Sequence, residues 1–164
     1  MIGIEIYQPA AQKALEYYDR VFVGDIETLN ITYQSYFDYV ICGDILEHLI
    51  DPWLVVQKIH IWLKTQGLVI TSIPNIRYWQ FLIDLIFKGK WEYQAEGLLD
   101  QTHLRFFTRK TACQLFTENS FQIMHQKMLV KGRKKTLFNK LSFQIFEEFV
   151  GEQIIIIAQK MGID

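Results

Sequence analysis

The sequence has little of what usually reinforces a small fold from outside its core. Two cysteines, Cys42 and Cys113, are too few for a disulfide framework, so a reducing, cytoplasmic compartment is expected. No apolar run approaches about 18 residues, and Met1 leads straight into strand-like sequence; neither a membrane span nor a signal peptide is expected. Lys and Arg (17) nearly balance Asp and Glu (18), and a net charge of -1 leaves no global footprint for nucleic acid. None of the nine glycines stands two residues from another, so no G-x-G loop exists anywhere in the chain. Repeats, low-complexity tracts and linker-like segments are absent as well. What remains is 164 residues, 50% of them hydrophobic, which is one domain with a sizeable core.

The most informative stretch runs from Phe37 to Asn75. Phe37 to Cys42 is a near-continuous apolar run, the mark of a strand buried on both faces. Gly43-Asp44 breaks it, and a turn carrying Leu46-Glu47-His48 comes next. Asp51 is placed as a helix N-cap with Pro52 at the first helical position. Val55, Val56, Ile59, Trp62 and Leu63 recur at helical spacing, Lys64 suits the negative end of the helix dipole, and Gly67 stops the helix. Leu68 to Ile73 is a second buried strand, ended by Pro74. Strand, helix and strand make a βαβ unit with parallel strands. Such sheets bind ligands beyond the carboxyl ends of their strands, which here are Gly43 to His48 and Pro74-Asn75.

Around this unit, Ile2 to Ile6 reads as a strand that holds a carboxylate, Glu5. Pro9 opens a helix with Ala11, Ala14, Leu15 and Tyr18 inward. Val21 to Val23 is a further strand, ended by Gly24-Asp25. Carboxylates just past two neighbouring strands suit nucleoside hydroxyl and amino groups, which need acceptors; loop capping is the plainer role for each alone. After Asn75, the residues Ile76, Trp79, Leu82, Ile83, Ile86 and Phe87 predict a strongly apolar helix. The long connection from Gly89 to Thr108 carries Trp91, Tyr93, Asp100, His103, Arg105, Phe106 and Phe107 and is expected to act as a lid. Thr108 caps the next helix, with Ala112, Leu115 and Phe116 inward. Phe121 to Val130 predicts a strand. Lys131, Arg133, Lys134 and Lys135 read as a solvated basic loop. Phe138, Leu141, Ile145 and Phe149 mark a final amphipathic helix, and Gln153 to Ala158 a fully buried last strand.

The segments GIEIYQPA, VFVGDIETL, FDYVICGDILEHLIDPW, LKTQGLVITSIPN and WEYQAEGLLDQTHLRFFTRKTACQLF resemble class I S-adenosylmethionine-dependent methyltransferases, closest to the MetW-like and ubiquinone-type O-methyltransferase branch. The likeness runs from about Gly3 to Phe121. It implies a Rossmann-like α/β fold: an open, mostly parallel twisted sheet with helices on both faces. The antiparallel last strand would lie between Leu68–Ile73 and Phe121–Val130. It further implies that Glu5 takes the cofactor's ribose hydroxyls and Asp25 its adenine amino group, with Ile6 and Ile26 against the ring. Cys42, Gly43 and Asp44 would line the methionine arm, and Leu46-Glu47-His48 would face the transferring methyl. His48 or His103 would take the acceptor's proton, since imidazole titrates near neutrality. Glu5, Asp25, Asp44 and His48 are expected to converge on one cleft, with His103 approaching on the lid. Asp44, Glu47, His48 and His103 are also of metal-ligating type, but no certain ligand spacing is present and no metal is expected.

Two departures from the family are visible. The family's first strand and glycine-rich loop are missing, so Gly3-Ile4-Glu5 corresponds to the second strand of an N-terminally truncated domain. Lys64-Thr65-Gln66-Gly67 stands where relatives carry Pro-Gly-Gly after the lysine. Methyl transfer to a small-molecule acceptor, impaired by the absent loop, is the expected function. The alternative is a non-catalytic methyltransferase-like module that binds or regulates a partner protein. A homodimer and a partner protein are both compatible assemblies. A nicotinamide-dependent oxidoreductase needs the same absent glycines and has no supporting motif.

Overall fold

The computed structural model describes residues 1–130, 132, 136 and 145–162. They divide into two compact units, Met1–Tyr33 and Gln34–Asp164. In the first, β1 (Ile2–Glu5) and β2 (Arg20–Val23) pair in parallel, with Glu5 opposite Val23, and α1 (Gln8–Ala14) connects them. Pro9 enters the first turn of α1, where its missing N–H is no loss, and Ala11 is buried. The helix is shorter than its apolar spacing predicts. Leu15 therefore lies beyond it and is exposed, and Ile6, expected within the first strand, is exposed as well. Tyr18 packs so closely on β1 that a Cβ at Gly3 would stand 3.2 Å from its ring.

The second unit holds a four-stranded sheet in the order β3 (Phe37–Gly43), β4 (Leu63–Pro74), β6 (Gln153–Lys160), β5 (Phe121–Leu129). β3 and β4 are parallel, whereas β6 runs antiparallel to both β4 and β5. The last strand thus lies between the two strands expected to flank it. Around the sheet stand a single 3₁₀ turn (Leu46–His48), α2 (Pro52–Trp62), α3 (Trp79–Lys88), α4 (Arg109–Thr117) and α5 (Glu147–Val150). Asp51 caps α2 by accepting from the Leu54 N–H at 3.0 Å, and Val55, Val56 and Ile59 are fully buried. Each such aliphatic side chain contributes about 1.5–3 kcal/mol of burial. No helix among the described residues is long and apolar enough to cross a membrane.

Several expectations are corrected. α2 ends at Trp62, and β4 begins at once, because Leu63 pairs with Phe37 before a bulge restores register at Tyr39–Leu68. Lys64 is therefore no helix-terminal cation; it pairs with Asp38 at 2.7 Å. Gly67 serves close approach rather than helix termination: a Cβ there would stand 2.9 Å from the Lys64 carbonyl and 3.2 Å from that of Phe37. β3 is not buried on both faces. It is the edge strand of its sheet, Cys42 is buried, and Tyr39 and Ile41 are 62% and 74% exposed. In β6 the buried Ile154, Ile156 and Ala158 alternate with half-covered neighbours, so the isoleucine run is fully buried on one face only. The strongly apolar helix expected after Asn75 is α3, which turns Phe81 inward and leaves Ile86 and Phe87 exposed. A helix apolar almost all round carries no phase signal for its buried side. Phe138, Leu141 and the basic residues Lys131, Arg133, Lys134 and Lys135 lie outside the described residues. Of the expected last helix, Ile145 is exposed and Phe149 lies under the Arg77 guanidinium at 4.5 Å.

Thr108 caps α4 as expected, and the cap is reciprocal. Its hydroxyl accepts from the Thr111 N–H at 3.2 Å, while the Thr111 hydroxyl accepts from the Thr108 N–H at 2.9 Å. Thr108→Ala should lower stability by about 1 kcal/mol. Urea denaturation reads this as a lower midpoint at unchanged slope, and a changed slope would mean that more than the cap was lost.

Candidate active site beyond the strand ends

Asp44 leaves β3 with a positive φ of 50°, a conformation that an Asp tolerates better than most residues. Its backbone N–H donates to the Ser72 carbonyl at 3.1 Å, and its Oδ1 accepts from the Ser72 hydroxyl at 2.9 Å. The Gln153 amide donates to Oδ1 at 3.0 Å and to Oδ2 at 3.1 Å. One carboxylate thereby ties the ends of β3, β4 and β6. Neither Ser72 nor Gln153 stands out in the sequence. Their only signal is position, one near the end of a predicted strand and one at the start of another.

The 3₁₀ turn then drives Leu46 and Glu47 inward, leaving them 0% and 1% exposed. The Glu47 carbonyl accepts from the N–H groups of Leu104 and Arg105 at 2.8 and 2.9 Å, and the Arg105 side chain donates to the Ile50 carbonyl. The long connection is thus docked on the turn by its backbone. Between them opens a cavity of about 430 Å³, with Asp44, Glu47, His48, Tyr78, Asp100 and His103 among its walls. Asp44, His48 and His103 are brought together here.

Two imidazoles and a carboxyl dominate this cavity. The rings of His48 and His103 meet edge to face, with centroids 4.7 Å apart. Nδ1 of His103 lies 3.0 Å from the Leu98 carbonyl. Nδ1 of His48 lies 3.2 Å from the Thr102 carbonyl and 3.0 Å from the Thr102 hydroxyl. Carbonyls only accept, so both Nδ1 atoms carry hydrogen and both Nε2 atoms present a lone pair. The Thr102 hydroxyl donates in turn to Asp100 at 2.6 Å. Thr102's side-chain and backbone bonds hold the Asp100 carboxyl below its ordinary range. Nothing in the sequence marks Thr102, although it directly precedes His103.

Neither oxygen of the buried Glu47 carboxyl has a hydrogen-bond partner among the described residues. Burial pushes its pKa up to about 7, and the Asp44 charge adds to the rise. One nitrogen of each imidazole and one Glu47 oxygen lie within 4.8 Å of one another. Such a group of acceptors accommodates either a divalent cation or an ammonium.

The remaining site residues are placed less uniformly. Cys42, expected beside the methionine arm, is buried, and burial pushes its thiol up to about 12. Its carbonyl accepts from the Thr71 hydroxyl at 2.8 Å. Gly43 is open: an added Cβ would meet only the Ser72 hydroxyl, at 3.8 Å. In the first unit, Glu5 ends β1 and Asp25 comes just after β2, so both stand at the carboxyl ends of paired parallel strands. Glu5 accepts from the Tyr7 N–H at 2.8 Å and Asp25 from the Glu27 N–H at 2.8 Å, so each also closes its own loop. Ile6 is exposed and Ile26 half-buried.

Buried Asn75, at the strand end marked in the sequence, is a structural anchor. Its amide donates to the carbonyls of Glu148 and Gly151 at 2.7 and 2.9 Å, fixing the entry to β6 beside the cavity.

A comparison with curated proteins finds no match. Among solved structures, the chain is similar to an S-adenosylmethionine-dependent methyltransferase from Archaeoglobus fulgidus, with a TM-score of 0.71 at 17% identity over 97% of this chain and 75% of that one. A similar enzyme from Mesorhizobium loti matches at 0.63 and 14% identity, covering 97% and 80%. A complex containing the Haloferax volcanii Trm112 methyltransferase activator matches at 0.65 and 13% identity, covering 99% and 72%. At such identities these likenesses establish the α/β methyltransferase fold, with its antiparallel final strand. The model of a methyltransferase domain matches residues 1–126, most of the sequence, and the chain belongs to that methyltransferase family.

Proposed function

We propose that this chain, in a reducing cytoplasmic setting, transfers a methyl group from S-adenosylmethionine to a small-molecule acceptor and holds its methyl donor weakly. The observation that carries the proposal is the cavity beyond β3 and β4, where one nitrogen of each of two imidazoles lies within 4.8 Å of an oxygen of a buried carboxyl. S-adenosylmethionine, when bound, supplies a methyl group activated on a sulfonium. Glu5 is suited to its ribose hydroxyls and Asp25 to its adenine amino group, because both are acceptors at strand ends. Ile6 and Ile26 would flank the adenine, and Gly43, Asp44 and the Cys42 backbone the methionine arm. Positioning the acceptor contributes most to a displacement of this kind. His48 and His103 each have a lone pair available for the proton that the acceptor must lose.

The weak hold rests on the sequence, in which no G-x-G brings backbone N–H groups to the donor. Two hydrogen bonds to a charged group, at roughly 1.5–3 kcal/mol each, amount to about a hundredfold or more in affinity. The activator-bound structural neighbour favours a second reading, in which the domain is a module that engages a partner protein or a second copy. Isothermal titration of the 164-residue chain with S-adenosylhomocysteine separates the two. Methyl transfer with a weakened donor site predicts saturable binding well above the low micromolar range, lost on Glu5→Ala. Low-micromolar binding would show the donor site to be intact, and no heat at millimolar ligand would leave the partner-binding module.

A further inference from the structure

The charges around the cavity are of one sign. Asp44, Glu47, Asp100 and Glu152 all line it, and no Lys or Arg does so among the described residues. His48 and His103 each donate through Nδ1 to a backbone carbonyl, which leaves each Nε2 to act as an acceptor. Glu47, 1% exposed, supplies two oxygens that no protein group satisfies among the described residues. Leaving a buried carboxyl unpaired is costly, and a bound donor would offset that cost. A phenol or alcohol would bring a single donor to three acceptors. A carboxylate or phosphate would bring none and would meet like charge on every side.

We infer that the acceptor is an amine, entering as its ammonium with N–H groups directed at Glu47, His48 and His103. This deepens the methyl-transfer reading and rests on it only for the steps after binding. Three N–H donors match one Glu47 oxygen and the two imidazoles, one nitrogen of each lying within 4.8 Å of that oxygen and of the other. To become a nucleophile the nitrogen must give up one proton. His48 Nε2 receives it and becomes an imidazolium, whose Nδ1–H remains bonded to Thr102. The deprotonated amine then has a lone pair for the attack and two N–H donors.

Titration calorimetry of the full chain with phenethylamine, phenethyl alcohol and 3-phenylpropanoate tests the inference. The amine should bind saturably and at least about tenfold more tightly than the alcohol, with the carboxylate not binding, and Glu47→Gln should remove that preference. The comparison of ligands is made on the unmutated chain, so it holds even where the variant does not fold. Equal affinity for amine and alcohol, or preference for the carboxylate, overturns the proposal. So does tight binding of Zn²⁺ that His103→Gln abolishes while no amine binds, since the cluster would then be a metal site. S-adenosylhomocysteine titrated alongside keeps the two readings apart. Amine binding without it leaves the amine site standing and removes methyl transfer, and the converse result removes only the amine.

Discussion

Glu47→Gln should stabilise the folded chain by about 3 kcal/mol at pH 8 and leave its stability near pH 4 almost unchanged. The carboxyl titrates at 4.5 when free and at about 7 in the fold, chiefly because it is buried. Between those values the folded chain binds a proton that the unfolded chain has released. Stability therefore falls as pH rises from about 4.5 to about 7, and above that it stays lower by the full difference. Gln keeps the shape and cannot ionise, so the variant should show no such decline. Urea midpoints measured every half unit from pH 4 to pH 8 read the effect directly. Parallel curves for the two proteins would mean that Glu47 ionises freely in the fold. An amine or other cation bound in the cavity should reverse the decline in the parent protein, because it favours the charged carboxylate.

The βαβ unit is legible because two apolar runs, an Asp-Pro helix start and a glycine-marked boundary all agree on it. The position of β6 comes from the family likeness and not from its isoleucines, which reveal hydrophobicity but not neighbours. The same limit explains β3. Phe37 to Cys42 reads as buried because it is apolar, yet coverage is decided by what lies beyond the edge, and Tyr39 and Ile41 are exposed. The helix reads as continuing past Trp62 because local spacing cannot foresee that Leu63 pairs with Phe37. In the site, His48 and His103 are legible as residue types able to move a proton. What makes them a pair is not: the Glu47 carbonyl captures the N–H groups of Leu104 and Arg105, more than fifty positions away. That docking also accompanies the burial of Glu47, which the sequence places at the site but does not show to be buried.

Methyl transfer at saturating donor should fall by about a hundredfold or more on His48→Ala, the usual cost of losing a positioned general base. The structure adds a finer expectation for Thr102. Its hydroxyl takes the His48 Nδ1–H at 3.0 Å while donating to Asp100 at 2.6 Å, and its carbonyl lies 3.2 Å from the same nitrogen. Thr102→Val keeps the carbonyl and the side-chain shape but removes the hydroxyl. The imidazole then keeps its tautomer, loses one of two restraints on its ring, and loses the link to the Asp100 charge. Turnover should drop by about tenfold with KM nearly unchanged, because the lost interaction strengthens only as His48 gains its proton. Thr102→Ser restores the hydroxyl and should restore most of the rate. A purely structural role for Thr102 would instead lower the melting temperature and raise KM, and Ser would rescue neither. Should His48→Ala retain full turnover while His103→Ala loses it, the proton passes to His103, and Thr102→Val should then leave kcat untouched.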